Sequence, residues 1–124
     1  MPTTTRLSES ILVARQQLER SRNEIRIRHD AGCSGTEICS HVANLFDTMV
    51  LAIFQAALTH IGDDSLESDV VLVAHGGYGR RDVAPFSDVD LMLLTAASAR
   101  ERAAELARPL SRDICDIGLK LGFS

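Results

Sequence analysis

Two short apolar runs, residues 70–74 and 89–94, enclose a glycine-rich segment, and this arrangement restricts the chain to folds that contain a sheet. The first run, Val-Val-Leu-Val-Ala, is apolar throughout and rich in β-branched residues, which is typical of a strand buried on both faces. The second run follows at Val89. Residues 75–87 are predicted to form the loop between them. The sequence therefore predicts two strands joined by a long loop.

Apolar residues at helical spacing occupy most of the remaining chain. They predict helices over residues 7–29 and 36–60, the second capped by Thr36, and a third from residue 97 onward that Pro109 kinks or divides. Residues 1–6 are expected to fray, and the arginines of the first helix to form a solvated face. Two strands alone make no stable sheet. The order of these elements predicts an α+β or α/β unit whose sheet is either very small or incomplete, divided into a helical segment over residues 1–62 and a core over residues 63–124.

Charge and hydropathy exclude several classes of function. The 124 residues carry a formal net charge of −4, whereas a general nucleic-acid binder is usually basic. No signal sequence is evident, and the apolar stretches look too short for a membrane span. The three cysteines are predicted to be ordinary free thiols, as in a reducing compartment. We expect a cytoplasmic protein that binds neither nucleic acid nor a membrane.

An Asp-Val-Asp triplet opens the second predicted strand. Side chains alternate along a strand, so Asp88 and Asp90 share one face, while Val89 and Leu91 lie on the other. Two neighbouring carboxylates repel each other and are costly beside an apolar core unless they are paired. A divalent cation removes that cost, and Mg²⁺ commonly takes one or two carboxylates together with substrate phosphates. The triplet therefore predicts a metal site.

The glycine-rich segment supplies groups that suit a triphosphate. Gly76 and Gly77 have no Cβ, so their backbone can approach a phosphate closely. Arg80 and Arg81 can neutralise phosphate charge, and Ser87 adds a hydroxyl beside the aspartates. A glycine loop or an Asp-x-Asp triplet alone is a weak signal, since turns and calcium loops use the same residues. Together, in strand–loop–strand order, they favour nucleotidyl transfer. Tyr78 could pack under the loop or stack on a base.

The same residues carry a resemblance to a known family. Residues 75–91, His-Gly-Gly-Tyr-Gly-Arg-Arg-Asp-Val-Ala-Pro-Phe-Ser-Asp-Val-Asp-Leu, resemble the nucleotidyltransferase signature of the bacterial PII uridylyltransferase/uridylyl-removing enzymes, members of the DNA polymerase β-type superfamily. The tail from Cys115 to Ser124 is also similar to a family segment, with Cys115 where tryptophan is usual. The resemblance covers most of this chain but only the front of the family's length.

This resemblance implies an α+β fold with a small, incomplete mixed sheet flanked by helices, an activity and a set of site residues. The activity is transfer of UMP from UTP to a tyrosine of the signalling protein PII, with release of pyrophosphate. Asp88 and Asp90 would be the catalytic metal ligands of a two-ion Mg²⁺ site, which Mn²⁺ could also fill. The nucleotide would contact Gly76, Gly77, Arg80 and Ser87. The expected partners are thus UTP, or another nucleoside triphosphate, and a PII-type acceptor protein.

One departure from the superfamily keeps other functions open. The superfamily uses a third carboxylate on a later strand, and Asp113 and Asp116 lie on a predicted helix, where they are poor substitutes. We therefore expect an N-terminal fragment or a truncated gene product. The alternatives are an adenylyltransferase, a minimal nucleotidyltransferase, and a non-catalytic module of the same fold that binds a protein partner.

Overall fold

The structure is a computed structural model that describes the backbone of residues 2–123 and the side chains of residues 9–123. Helices and strands alternate only in its second half. The elements are α1 (Pro2–Asp30), α2 (Gly35–Ile61), α3 (Leu66–Asp69), β1 (Val70–Ala74), α4 (Gly76–Gly79), β2 (Val89–Thr95), a 3₁₀ turn (Ala97–Ala99), α5 (Arg100–Asp116) and β3 (Leu121–Phe123).

The two long N-terminal helices begin earlier than predicted. Helix α1 starts at Pro2 rather than at Leu7, and proline is well suited to the first helical position because its fixed φ matches the helix. Helix α2 is capped by Ser34, whose hydroxyl accepts a hydrogen bond from the Glu37 amide at 3.2 Å. Thr36, the predicted cap, therefore lies inside the helix. Both helices otherwise run as the periodicity predicts.

Helices α1, α2 and α5 pack on one another around a shared core. Leu18 of α1, Phe46 of α2 and Ile114 of α5 are all 1% exposed or less, and they belong to one cluster together with Val89 and Leu91 of β2. Both predicted segments, 1–62 and 63–124, thus contribute to one apolar core. Burial of these side chains is the main force that holds the helices to the sheet.

Helix α2 corrects the expectation that no apolar segment is long enough for a membrane. Among the described residues, one helix is long and apolar enough to cross a bilayer, and this helix is α2 with its 27 residues. The core helix of a globular domain meets the same criterion. Nine residues of α2 are buried inside the protein, including Val42, Phe46 and Ile53. The apolar stripe of α2 is therefore covered by the chain's own helices and sheet.

The sheet has three strands in the order β1-β2-β3. Strands β1 and β2 are antiparallel, with Val70 opposite Thr95 and Ala74 opposite Leu91. Strand β3 runs parallel to β2 and places Gly122 opposite Asp90. The small mixed sheet of an α+β fold is thus confirmed. Strand β3 was not predicted, because its three residues are too few for a periodicity to show.

Among the described residues, one face of the sheet is covered and the other is partly open. Helix α5 contacts β2 and β3, and Val89 and Leu91 are buried on that side. On the opposite face Val71 is 59% exposed and its pairing partner Leu94 is 51% exposed. The prediction that β1 is buried on both faces is therefore wrong. An apolar run alone does not show how many layers cover a strand.

Candidate active site

The glycine-rich segment folds back onto β2 directly after β1. The His75 amide donates to the Asp90 carbonyl oxygen at 3.0 Å. Gly76–Gly79 then form the single helical turn α4, in which the Gly79 amide donates to the His75 carbonyl at 2.9 Å. The predicted loop over residues 75–87 thus contains a short helix. This turn starts from a left-handed residue, Gly76, whose φ is 58°, a conformation that glycine adopts without steric cost.

The Asp90 carboxylate lies in a gap between two glycines from different parts of the chain. A Cβ added to Gly76 would stand 2.7 Å from Asp90 Oδ2, and one added to Gly122 would stand 2.6 Å from Asp90 Oδ1. Real Cβ atoms do not approach so closely, so a side chain at either position would force the Asp90 carboxylate or the neighbouring backbone to shift. The glycine turn, β2 and β3 therefore meet at this one carboxylate.

Asp90 lies in β2, and Asp88 immediately precedes the strand. They flank the buried Val89, and Asp88 is exposed while Asp90 is partly buried. Within the described residues no ion pair involves either carboxylate. The same residues contain no group of three or more His, Cys, Asp and Glu side chains that could hold a metal ion. The site thus has two carboxylates with accessible oxygens. None of the described residues supplies a third acid.

Ser87 has a structural contact in the turn that precedes the aspartates. Its Oγ accepts a hydrogen bond from the Ala84 amide at 2.8 Å, and its own amide donates to the Ala84 carbonyl at 3.0 Å. The hydroxyl hydrogen of Ser87 is not used in this pair and can still donate to a ligand. Ser87 therefore closes the turn and remains next to Asp88.

The two arginines of the glycine-rich segment differ in their surroundings. Arg81 forms an ion pair with Asp47 of α2, with Nη1 and Oδ2 2.8 Å apart, and also donates to the Asn44 side chain. Arg80 is exposed, and no ion pair in the described part of the chain involves it. Of the two, Arg80 is therefore the cation available to an anionic ligand. The predicted contact between Arg80 and the nucleotide requires such availability.

Tyr78 packs under the glycine turn. It is 4% exposed and its ring lies edge-to-face against Phe46, with centroids 5.8 Å apart. Its hydroxyl donates to Asp47 Oδ1 at 2.7 Å. Burial, and secondarily the bond to Asp47, raises the pKa of Tyr78 far above its usual range. Base stacking, the alternative left open by the sequence, is therefore not available to this ring as placed.

Sequence reasoning missed Asp47 and Arg22, which contact the site region from the N-terminal helices. Asp47 interrupts the apolar sequence of α2 as the only acid between Ile38 and Ile61, a signal that could have been noticed. Arg22 Nε donates to the Pro85 carbonyl at 2.9 Å, and its guanidinium lies 4.5 Å from the centroid of the Phe86 ring. Partial burial lowers the pKa of Arg22. Arg22 is thus an exception to the predicted solvated face of α1.

A comparison with protein families decides the class of this fold. Residues 19–124 match the model of the family described as "Putative nucleotidyltransferase DUF294". The chain belongs to this nucleotidyltransferase family. The match spans α1 from Glu19, all three strands and the glycine-rich turn, so the aspartates, the glycines and Arg80 all lie inside it.

Several curated relatives of this family member carry the same name. The chain is 34% identical to the "Bifunctional uridylyltransferase/uridylyl-removing enzyme" of Azospirillum brasilense over 91% of its length, and 32% identical to the protein of that name from Erythrobacter litoralis over 90%. The protein of that name from Aromatoleum aromaticum is 29% identical over the whole chain. The chain spans only 13–14% of the length of these relatives. No solved structure matches the chain.

Proposed function

We propose that this nucleotidyltransferase domain forms the front part of a catalytic site that transfers UMP from UTP to a tyrosine of a PII-type signalling protein in the cytoplasm. The observation that supports this most directly is the Asp90 carboxylate, which lies between Gly76 and Gly122 beside Asp88 without a cationic partner among the described residues. The names of the curated relatives support uridylyl transfer as the reaction.

The donor set fits a hard divalent cation. Mg²⁺ prefers oxygen ligands and binds proteins through one or two carboxylates together with substrate phosphates. Asp88 and Asp90 supply such carboxylates, and the glycines on both sides of Asp90 leave its two oxygens free of side-chain cover. We assign Asp88 and Asp90 as the ligands of Mg²⁺, which Mn²⁺ can replace. When bound, the metal would neutralise triphosphate charge and lower the pKa of the attacking hydroxyl.

The remaining residues bind and orient the nucleotide. The backbone of Gly76 and Gly77 lies against the triphosphate, the exposed guanidinium of Arg80 pairs with its oxygens, and the Ser87 hydroxyl donates a hydrogen bond. In the reaction the acceptor tyrosine oxygen forms a bond to the α-phosphorus. The bond from that phosphorus to the bridging oxygen breaks, pyrophosphate leaves with the electron pair, and the proton of the tyrosine hydroxyl is released to solvent.

Nucleotide titration in the presence of Mg²⁺ or Mn²⁺ tests this assignment. We expect UTP to bind only with a divalent cation, and both Asp88→Asn and Asp90→Asn to weaken binding by about tenfold or more, since each removes a charged metal ligand. Isothermal titration calorimetry measures the affinity. Asp64→Asn is the matched control, because Asp64 is an exposed acid outside both the glycine-rich segment and the proposed ligand set. UTP binding by Asp90→Asn as tight as that of the unmodified chain would exclude the metal role.

The same titration compares the candidate reactions. Tighter binding of UTP than of ATP is expected for uridylyl transfer, and the reverse order would favour an adenylyltransferase. Failure of every nucleoside triphosphate to bind with either cation would exclude nucleotidyl transfer by this site and favour the partner-binding module.

A further inference from the structure

One carboxylate on α2 anchors two donors of the glycine-rich segment. Asp47 accepts from the Tyr78 hydroxyl through Oδ1 and from the Arg81 guanidinium through Oδ2. Asn44, one helical turn earlier, accepts a further bond from Arg81. The Tyr78 ring is buried against Phe46. The second half of the segment is thus attached to α2 by charge, hydrogen bonds and apolar contact at once.

The backbone at Arg81 shows why such an attachment is needed. Its φ is 60°, and among the described residues no other residue except glycine has a positive φ. This left-handed conformation is sterically unfavourable for a residue with a side chain. It persists only where the surrounding structure holds it, and such residues cluster at functional sites. The bonds from the Arg81 amide to Tyr78 O at 3.0 Å and from the Asp82 amide to Gly77 O at 2.9 Å close this turn.

We propose that Asp47 is a positioning residue that holds residues 76–82 in the conformation that receives the triphosphate. The proposal rests on the proposed function for the identity of the ligand. Asp47 does not touch the nucleotide. It acts through Tyr78 and Arg81, which fix the two ends of the stretch that carries Arg80.

The attachment also gives the adjacent residues Arg80 and Arg81 different roles. Arg81 is engaged with Asp47 and Asn44, whereas Arg80 remains exposed. A guanidinium that is already paired with a carboxylate is a poor phosphate ligand, because the anion would have to displace that partner. By binding Arg81, Asp47 leaves Arg80 as the cation that the turn presents.

Two affinities measured on Asp47→Ala separate positioning from general damage. We expect the affinity for UTP in excess Mn²⁺ to fall by about tenfold, because the turn is no longer held. The affinity for Mn²⁺ alone, measured by electron paramagnetic resonance, should stay unchanged, because Asp88 and Asp90 are untouched. Asp47→Asn should recover part of the UTP affinity, since its amide oxygen can still accept from Tyr78.

Thr48→Ala is the matched control. Thr48 is exposed, follows Asp47 on the same helix, and its hydroxyl donates to the Asn44 carbonyl of that helix, so both affinities should match those of the unmodified chain. Unchanged UTP affinity in Asp47→Ala would overturn the proposal. An equal loss of Mn²⁺ affinity would overturn it as well, since that result indicates a general disturbance of the site.

Hydrogen exchange of the Arg81 and Asp82 amides, which donate to the Tyr78 and Gly77 carbonyls, keeps this proposal distinguishable from the proposed function. If the unmodified chain binds no nucleotide, the proposed function fails. Faster exchange of these amides in Asp47→Ala than in Thr48→Ala would still support the holding role. Equal exchange in the two variants would refute it.

Discussion

Two pairs of aspartates lie at opposite ends of the β1–β2 ribbon and have contrasting surroundings. At one end, Asp63 and Asp69 both pair with Arg102 of α5, at 2.7 Å and 3.1 Å. At the other end, Asp88 and Asp90 have no ion pair among the described residues. The register separates the two ends, because Val70 beside Asp69 pairs with Thr95, whereas Ala74 pairs with Leu91 beside Asp90.

The contrast separates a structural acid pair from a ligand-binding one. The first pair ties the segment before β1 to α5, and hydrogen bonds from Ser65 and Arg102 lower the pKa of Asp63 to about 2. Around Asp90 the chain places glycines at positions 76 and 122, which remove side chains from the space beside the carboxylate. An acid whose charge is met inside the protein stabilises the fold. An acid kept clear of partners is suited to a cation from solution.

Filling the space beside Asp90 should have the largest effect. In Gly122→Ala the new methyl would stand 2.6 Å from Asp90 Oδ1, so the carboxylate or β3 must move. We expect Mn²⁺ affinity to fall by about tenfold or more and the free energy of unfolding to fall by about 1–3 kcal/mol, as overpacking usually causes. Electron paramagnetic resonance and urea denaturation measure the two quantities.

Gly35→Ala provides the control for Gly122→Ala. A Cβ at Gly35, the first residue of α2, meets nothing within 4 Å. Its Mn²⁺ affinity should not change, and its stability should change by at most about 1 kcal/mol, the helix-propensity difference between the two residues. Full Mn²⁺ affinity in Gly122→Ala would contradict the claim that glycine keeps the Asp90 carboxylate accessible.

Removing the Arg102 guanidinium at the opposite end of the ribbon should lower stability without lowering Mn²⁺ affinity. Arg102→Ala should lower the urea midpoint, because Asp63 and Asp69 lose their partner, and leave Mn²⁺ affinity unchanged. Arg112→Ala is the control, since Arg112 is an exposed arginine of the same helix that pairs with its neighbour Asp113. A loss of Mn²⁺ affinity in Arg102→Ala would show that the two ends of the ribbon are coupled.

The contribution of Asp63 also has a predictable pH dependence. Its folded pKa lies below its ordinary value of 3.8, at about 2, so the stabilisation is fully present above the ordinary value and is lost as pH falls toward the folded pKa. Asp63 is accessible to solvent, so the effect should be modest. The difference in urea midpoint between the unmodified chain and Asp63→Asn should shrink over this interval. A constant difference would exclude the ionised carboxylate as its cause.

The features predicted correctly from sequence are those that follow from the residue pattern within a single segment. The helical spacing of α2 and the β-branched run of β1 each lie within one segment, so period and residue type suffice to place both elements. The α+β class was also predicted correctly, whereas the mixed character of the sheet depends on β3, which was not predicted. Chain order and period therefore place these elements but do not complete the sheet.

The missed features join distant segments. Gly122 opposite Asp90 depends on β3, whose three residues carry no periodic signal. Asp47 contacts Tyr78 and Arg81 across more than thirty positions of sequence. The exposed face of β1 was missed because an apolar strand does not reveal whether a second layer covers it. Contacts of this kind are set by tertiary packing, which the periodicity of a single segment does not encode.

The smallest effect is expected from removing charge at Asp90 when no divalent cation is present. Asp90→Asn should leave the free energy of unfolding equal to that of the unmodified chain, or raise it by about 0.5 kcal/mol, because it removes repulsion from Asp88 and no ion pair is lost. Asp63→Asn should lower stability, because Asp63 loses its charge opposite Arg102. Urea denaturation in a chelator compares the two variants. A larger loss in Asp90→Asn than in Asp63→Asn would mean that Asp90 stabilises the fold itself, and the contrast between the two ends of the ribbon would no longer separate a structural role from a ligand-binding one.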